Sequence, residues 1–400
     1  MGSLKRLSSF LLFTLISWVV LHPVENQALA KEGPFPVLPG LEGSVEFWKH
    51  VFTEHGTSEL IFFDPLNPAR IYKVVEIGKR RNVRGLIRAE QRKILRKYGL
   101  KSRKRVRVQR GVRERFVSGL QRSRRYLEQM QRIFQERDLP IELAYLPLIE
   151  SSFQVHVRSR AGAVGIWQFM RATGRRYLRV TSRVDERRDP LESTRAAARL
   201  LEENYELFGN WPLAITAYNH GQRGILQAVA QVGSTDLMEI IQRYRSRTFG
   251  FSSKNFYAEF LAALEVASND EEFFPDIEYH PPFPLEELEL KEPTPVAPLL
   301  RSAEISREEF LSWNPALSRT IEFLPKGYRA KVPAEDMQAF AAAYQKIVNR
   351  PWIRHLVARG ETLSHIARAY RISVREIQIF NGLSNIHFIT VGQQLKIPRR

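Results

Sequence analysis

Between Ile141 and Phe153 the chain is apolar with helical spacing, and Glu150 is its only acid after Glu142. Asp138 and Pro140 are expected to open that helix, as a cap followed by proline in the first turn. Pro147 has no amide hydrogen for a helix interior, so it is expected to bend the chain just before Glu150. The carboxyl would then stand at a distorted helix end among leucine, isoleucine and phenylalanine. Low-dielectric surroundings disfavour the charged form, so such a carboxyl ionises late. A proton held near neutral pH is what a general acid requires. A glutamate on the wet face of a buried helix fits the same residues, and this run alone leaves both readings open.

The order of residues that follows adds weight. Glu150-Ser151 is followed by Ser159, by Gly162-Ala163-Val164-Gly165-Ile166-Trp167-Gln168, and by Ala217-Tyr218-Asn219. This order and spacing resemble the lytic transglycosylases of the goose-lysozyme-like superfamily. Their marks are a Glu-Ser pair, a Gly-Leu-Met-Gln-type turn and an Ala-Tyr-Asn triplet. The second mark here reads Gly-Ile-Trp-Gln, as in the membrane-bound branch of those enzymes. The resemblance covers Leu139 to Ala267. It implies a mainly α chain with a lysozyme-like helical catalytic domain.

The resemblance also implies one catalytic carboxyl, Glu150, rather than the usual pair. In that chemistry the glutamate protonates the leaving oxygen while the substrate's N-acetyl group stabilises the positive centre. It then takes the proton from the muramic acid C6 hydroxyl, which closes onto C1 and leaves a 1,6-anhydro sugar. No metal or cofactor is called for. Ser159, Gln168, Tyr218 and Asn219 match the family's motifs and are expected to bind sugar hydroxyls and acetamido groups. Tyr257, near the start of the last helix, stands where the family has a tyrosine. Ser151 is expected to bond within the helix end. Trp167 offers a flat face for a sugar ring or belongs to the core. Asp185, Glu186 and Asp189 are the other acids near the motifs, and Asp189 reads equally as a helix cap. The nine histidines show no metal-ligand spacing.

Outside this domain the chain divides by composition. Residues 1–30 read as a signal peptide: Lys5 and Arg6, an apolar run from Phe10 to Leu21 that is short for a membrane span, and a cleavage site at Ala28-Leu29-Ala30. Export to the periplasm or cell envelope is the expectation. With no cysteine there is neither a disulfide nor the N-terminal lipid attachment of the membrane-bound relatives. Residues 31–137 form an N-terminal extension, whose part from Lys79 to Arg137 holds 22 lysines and arginines against four acids. Its local charge of +18 equals that of the whole chain. Its apolar spacing is mostly helical. Such a face suits an anionic wall or membrane surface. Nucleic acid is not expected, since no recognition motif accompanies the charge.

Residues 138–268 are the catalytic domain, and 269–298, rich in proline and acids, read as an extended linker. The remainder repeats itself. Ile305-Ser306, Asn314, Gly327 and Pro333 in one copy correspond to Ile372-Ser373, Asn381, Gly392 and Pro398 in the other. The second copy, 352–398, resembles a LysM module of βααβ form, which implies binding to N-acetylglucosamine-containing glycan through Gly360, Glu361, Thr362, Asn381 and Gly382. The first copy, 299–337, lacks the Gly-Glu-Thr-Leu loop and reads as a degenerate repeat serving as binder or spacer. Three functions compete: a peptidoglycan lytic transglycosylase with a glycan-binding tail, a lysozyme-type hydrolase of the same fold, and a non-catalytic wall-binding protein.

Overall fold

The computed structural model describes residues 33–78, 82–383 and 389–398. The expected signal peptide lies outside them. The N-terminal extension begins with α1 (Glu42–Thr53), whose Val45, Phe47, Trp48, Val51 and Phe52 are all buried. A sheet follows that the composition had hidden. Strands β1 (Glu59–Asp64) and β2 (Asn67–Glu76) form a hairpin, with Asp64 Oδ1 accepting from the Leu66 amide at 3.0 Å in its turn. After α2 (Arg84–Lys97), β3 (Arg107–Arg110) joins the other edge of β1, all antiparallel. Within the described part of the basic segment, β3 is the one strand, and the apolar spacing read as helical falls in α2 and in the helices that follow. The central strand is buried on both faces, so its continuous apolar run carries no period-2 alternation to read. Leu60 and Phe62 meet Tyr72, Ile94 and Val106 on one side. Phe63 stacks towards Phe47 and Phe251 on the other. Helices α3 (Arg113–Ser123) and α4 (Leu127–Gln135) complete the extension.

The helical domain starts as a 3-10 turn, Ile141–Tyr145, and changes to α geometry in the single turn of α5 (Pro147–Glu150). Asp138 does not cap it: its φ is +55° and Pro140 occupies the cap position. Pro147 does not bend a continuous helix either; it opens the new turn at its first position, where a missing amide hydrogen costs nothing. Then come α6 (Arg171–Tyr177), α7 (Pro190–Phe208), α8 (Trp211–His220), α9 (Gln222–Val232), α10 (Leu237–Arg243), α11 (Phe251–Ser268) and the short α12 (Asp270–Phe273). Asp189 caps α7, accepting from the Leu191 and Glu192 amides at 3.0 Å, and Gly209 ends it with φ +71°. Asn219 and His220 lie in the last turn of α8, which breaks only at Gly221. Buried Ala197, Leu201, Leu213, Ile215, Ala258 and Ala262 bring α7, α8 and α11 together.

The stretch expected as a linker is partly ordered structure. Strand β4 (Leu285–Glu289) pairs antiparallel with β7 (Arg329–Pro333), in register from Leu285 opposite Pro333 to Glu289 opposite Arg329. Proline flanks β4 at 284 and 293 without entering it, and its acids masked the strand. Between them lie β5 (Thr294–Pro295), α13 (Val296–Ala303), α14 (Arg307–Trp313) and β6 (Phe323–Leu324). The first repeat is thus a complete βααβ unit beginning at Leu285, not at 299. Helix α15 (Ala334–Val348) leads to the second, built from β8 (Trp352–Leu356), α16 (Leu363–Ala369), α17 (Val374–Phe380) and β9 (Gln394–Pro398). The copies share one device. Asn314 bonds both backbone groups of Lys331, at 2.7 and 3.0 Å, as Asn381 bonds those of Lys396, at 2.7 and 2.6 Å. Ser306 and Ser373 cap α14 and α17, each reciprocated by a glutamate three residues on. Among the described residues no helix is long and apolar enough to cross a membrane.

Candidate active site

Glu150 is the last residue of α5, and the turn beyond it is held in an uncommon shape. Ser152 and Phe153 have φ of +51° and +56°, a region that side chains other than glycine adopt at a cost. Arg122 of α3 secures it, donating through Nε and Nη2 to the Ser152 carbonyl at 2.9 and 2.7 Å. Gly119 lets the helix approach: a Cβ there would stand 3.1 Å from that of Ser152. Ser151, buried beside Glu150, donates to the Ile166 carbonyl at 2.7 Å. The Glu-Ser pair is therefore one carboxyl plus the bond that ties its turn to the Gly-Ile-Trp-Gln turn.

That second turn is equally constrained. Gly165 has φ +80°, and a Cβ on it would fall 1.8 Å from the Arg187 carbonyl, so only glycine fits. Gln168 has φ +50° and donates to the Gly165 carbonyl at 2.8 Å. Ser159 Oγ accepts from the Ala163 amide at 3.0 Å and closes the hairpin before it. Trp167 is fully buried and donates through its indole nitrogen to Thr194 Oγ1 at 2.8 Å. It is a core residue, not a sugar platform. Tyr218 of α8 donates to the Trp167 carbonyl at 2.7 Å, which fixes its ring beside the turn.

Two carboxyls are strongly perturbed, and the first is Glu150. It is half-buried, and desolvation pushes its carboxyl up to about 8, so it holds a proton at neutral pH. Burial, then the Glu150 charge, raises the Tyr218 hydroxyl well above its ordinary value. Sequence reasoning passed over Glu259 of α11. Its carboxyl is likewise pushed up to about 8, by burial first and by Glu150 second. The signal was available: Glu259, like Glu150, is an acid set in an apolar run. Asn219 is exposed and accepts from Ser253 Oγ at 3.3 Å, while Tyr257 is 1% exposed and belongs to the core of α11. The other acids near the motifs are engaged elsewhere. Asp185 pairs with Arg187 at 2.8 Å, Glu186 accepts from the Arg179 amide at 2.6 Å, and Asp189 caps α7.

The five residues expected to bind glycan in the second repeat mainly build its frame. Glu361 accepts from the Ala358 amide at 2.7 Å and bonds His355 Nε2 at 2.9 Å. Thr362 caps α16, Asn381 clamps β9, and Gly360 and Gly382 supply turns with φ of +84° and +60°. Among the described residues no group of three or more His, Cys, Asp or Glu side chains is arranged to hold a metal ion.

A recessed, protonated carboxyl at a helix end, locked to a glycine turn and faced by a tyrosine, is suited to acid–base chemistry. Residues 131–241 match the family model described as transglycosylase SLT domain, and residues 355–398 match that of the LysM domain. The chain thus carries a transglycosylase SLT domain followed by a LysM domain. Over 284 residues it is 28% identical to membrane-bound lytic murein transglycosylase D of Escherichia coli (strain K12), covering 66% of this chain and 61% of that protein. The same figures hold for the protein of that name in Escherichia coli O6:H1. The chain spans 61% of the length of these curated relatives.

Proposed function

We propose that the protein is a peptidoglycan lytic transglycosylase that cleaves the β-1,4 bond between N-acetylmuramic acid and N-acetylglucosamine without consuming water. The observation that carries the reading is the Glu150 carboxyl, protonated near neutrality at the end of α5 and faced by Tyr218. The murein transglycosylases at 28% identity support the substrate class. In this reading Glu150 gives its proton to the leaving oxygen and takes one back from the muramic acid C6 hydroxyl. Tyr218 and Gln168 line the approach, and Asn219 and Ser159 flank it. Export across the inner membrane and glycan binding by the LysM module belong to the same proposal. Because the side chains of Glu361, Thr362 and Asn381 are engaged within the module, the sugar contacts fall to the backbone of their turns.

A hydrolase of the same fold has one observation in its favour, the second carboxyl at Glu259. Mass spectrometry of digested murein sacculi separates the two. Anhydro ends are lighter than hydrolysed ends by one water, and a digest containing only the heavier product would overturn the transglycosylase reading.

A further inference from the structure

We propose that an arginine-lined groove between the helical domain and the first repeat binds the acidic peptides carried by the glycan strand. The inference rests on the glycan-cleaving reading above and adds the part of the substrate that the groove would take. The groove has a volume of about 1030 Å³. One wall is the hairpin that carries Ser159, with Arg158 beside it and Arg171 just after. The turn through Arg183 and Arg188 forms the floor, and Arg307 and Arg319 of the first repeat face it.

Charge in the groove is one-sided. Arg158, Arg171, Arg183, Arg188 and Arg319 are exposed. Arg307 is half-buried, donating to the Arg319 and Ile321 carbonyls at 2.9 and 2.5 Å. The acids on the lining are Asp185, which both oxygens commit to Arg187 at 2.8 Å, and Glu308. The His156 imidazole at the rim is lowered by burial first and then by Arg188 and Arg319.

The walls are joined by backbone bonds. The Asp185 amide donates to the Ala316 carbonyl at 2.8 Å, and the Ser318 amide to the Arg183 carbonyl at 2.9 Å. Val184 bridges to Leu317 and is buried in the core of the repeat. The arginines are therefore presented by a fixed frame, and the frame needs the first repeat.

Guanidinium forks pair with carboxylates two bonds at a time. A polyanion unrelated to the substrate would have no reason to meet this wall. A peptide hanging from the strand under cleavage would, because the Ser159 hairpin is shared by groove and site.

The test is calorimetric titration of the full chain with a free stem-type peptide bearing its carboxylates, with the same peptide amidated, and with linear polyphosphate. The carboxylate peptide should bind, and amidation should weaken it about tenfold or more. The Arg183→Glu, Arg319→Glu double variant should lose about tenfold in peptide affinity while its melting temperature and turnover of peptide-stripped strands stay unchanged. The neutral pair Arg183→Gln, Arg319→Gln should fall between. No binding of the carboxylate peptide, binding that survives both charge changes, or binding of polyphosphate alone would each overturn the proposal. Failure of the cleavage reading is visible separately, as the absence of anhydro ends from peptide-stripped strands.

Discussion

The Lys331 Nζ of the first repeat lies 2.9 Å from Oδ2 of Asp189, the cap of α7, and both side chains are essentially inaccessible to solvent. Glu192 and Glu287 stand 3.5 and 3.3 Å from the same ammonium. Burial alone would lower Lys331 and raise Asp189. The three carboxylates outweigh it for the lysine, which is pushed up to about 12, whereas burial still holds Asp189 above the ordinary aspartate value despite Lys331 and two helix amides. The repeat is thereby bonded to the helical domain rather than tethered to it. Lys331→Met should cost about 3–5 kcal/mol, because it strands buried carboxylates. Thermal or urea unfolding measures this, and a loss below about 1 kcal/mol would show that the cluster is solvated.

Ser151→Ala should leave the Ile166 carbonyl without its partner, at a cost of about 1–3 kcal/mol. Because the bond ties the turn of Glu150 to that of Gln168, turnover should fall about tenfold or more through misplacement of the acid. Ser151→Thr, which keeps a hydroxyl, should recover part of it. A variant that loses stability but keeps full turnover would separate the bond from the site.

Glu150→Gln should abolish cleavage, by about three orders of magnitude or more, since the amide cannot donate and recover a proton. It should also raise stability at neutral pH. The folded carboxyl ionises near 8 against an ordinary glutamate value of 4.5, so the native state binds the extra proton between them. The stability from keeping that proton is full below pH 4.5 and is lost as pH rises through 8. Removing the ionisable group should therefore stabilise by up to about 4 kcal/mol at pH 8 and by almost nothing at pH 4. Parallel melting curves for both proteins across that range would contradict the burial of the carboxyl.

Glu259→Gln distinguishes the two enzymatic readings. With its carboxyl pushed up to about 8, Glu259 is a poor base at neutral pH. Turnover should stay within about tenfold of wild type, and the anhydro product should persist. A loss comparable to that of Glu150→Gln, with hydrolysed ends vanishing, would make Glu259 the water-activating group.

A chain ending at Asn349 should still form anhydro products from soluble fragments but should sediment less with insoluble murein, since tethering raises the local substrate concentration. What remains of its binding should weaken steeply between low and physiological salt, because Arg84, Arg88, Arg92, Arg96 and Lys97 are exposed and screening shortens their reach to about 10 Å at 0.1 M. Two acids of β4 pair outside the basic segment: Glu287 with Arg195 and Lys331, and Glu289 with Lys291. Equal sedimentation of both chains, or a flat salt curve, would count against these roles.

Read alone, the residues already marked the helical domain, both repeats and their caps, and put Glu150 forward as the candidate acid. Each of these is a local pattern: a proline at a helix start, a serine three residues before a glutamate, a glycine where φ must be positive. The chain could not disclose what depends on contacts between distant segments. β1 is apolar throughout because it is buried on two faces, and β4 looked like linker because its acids face Lys331 and Arg195 across the chain. Trp167 became core through Thr194, Glu259 came to Glu150 through the packing of α11, and the arginines of 158–188 met those of 307–319 only across a tertiary interface. Periodicity reports which side of an element is buried; what it is buried against, and hence which charges end up paired, is settled when the elements close on one another.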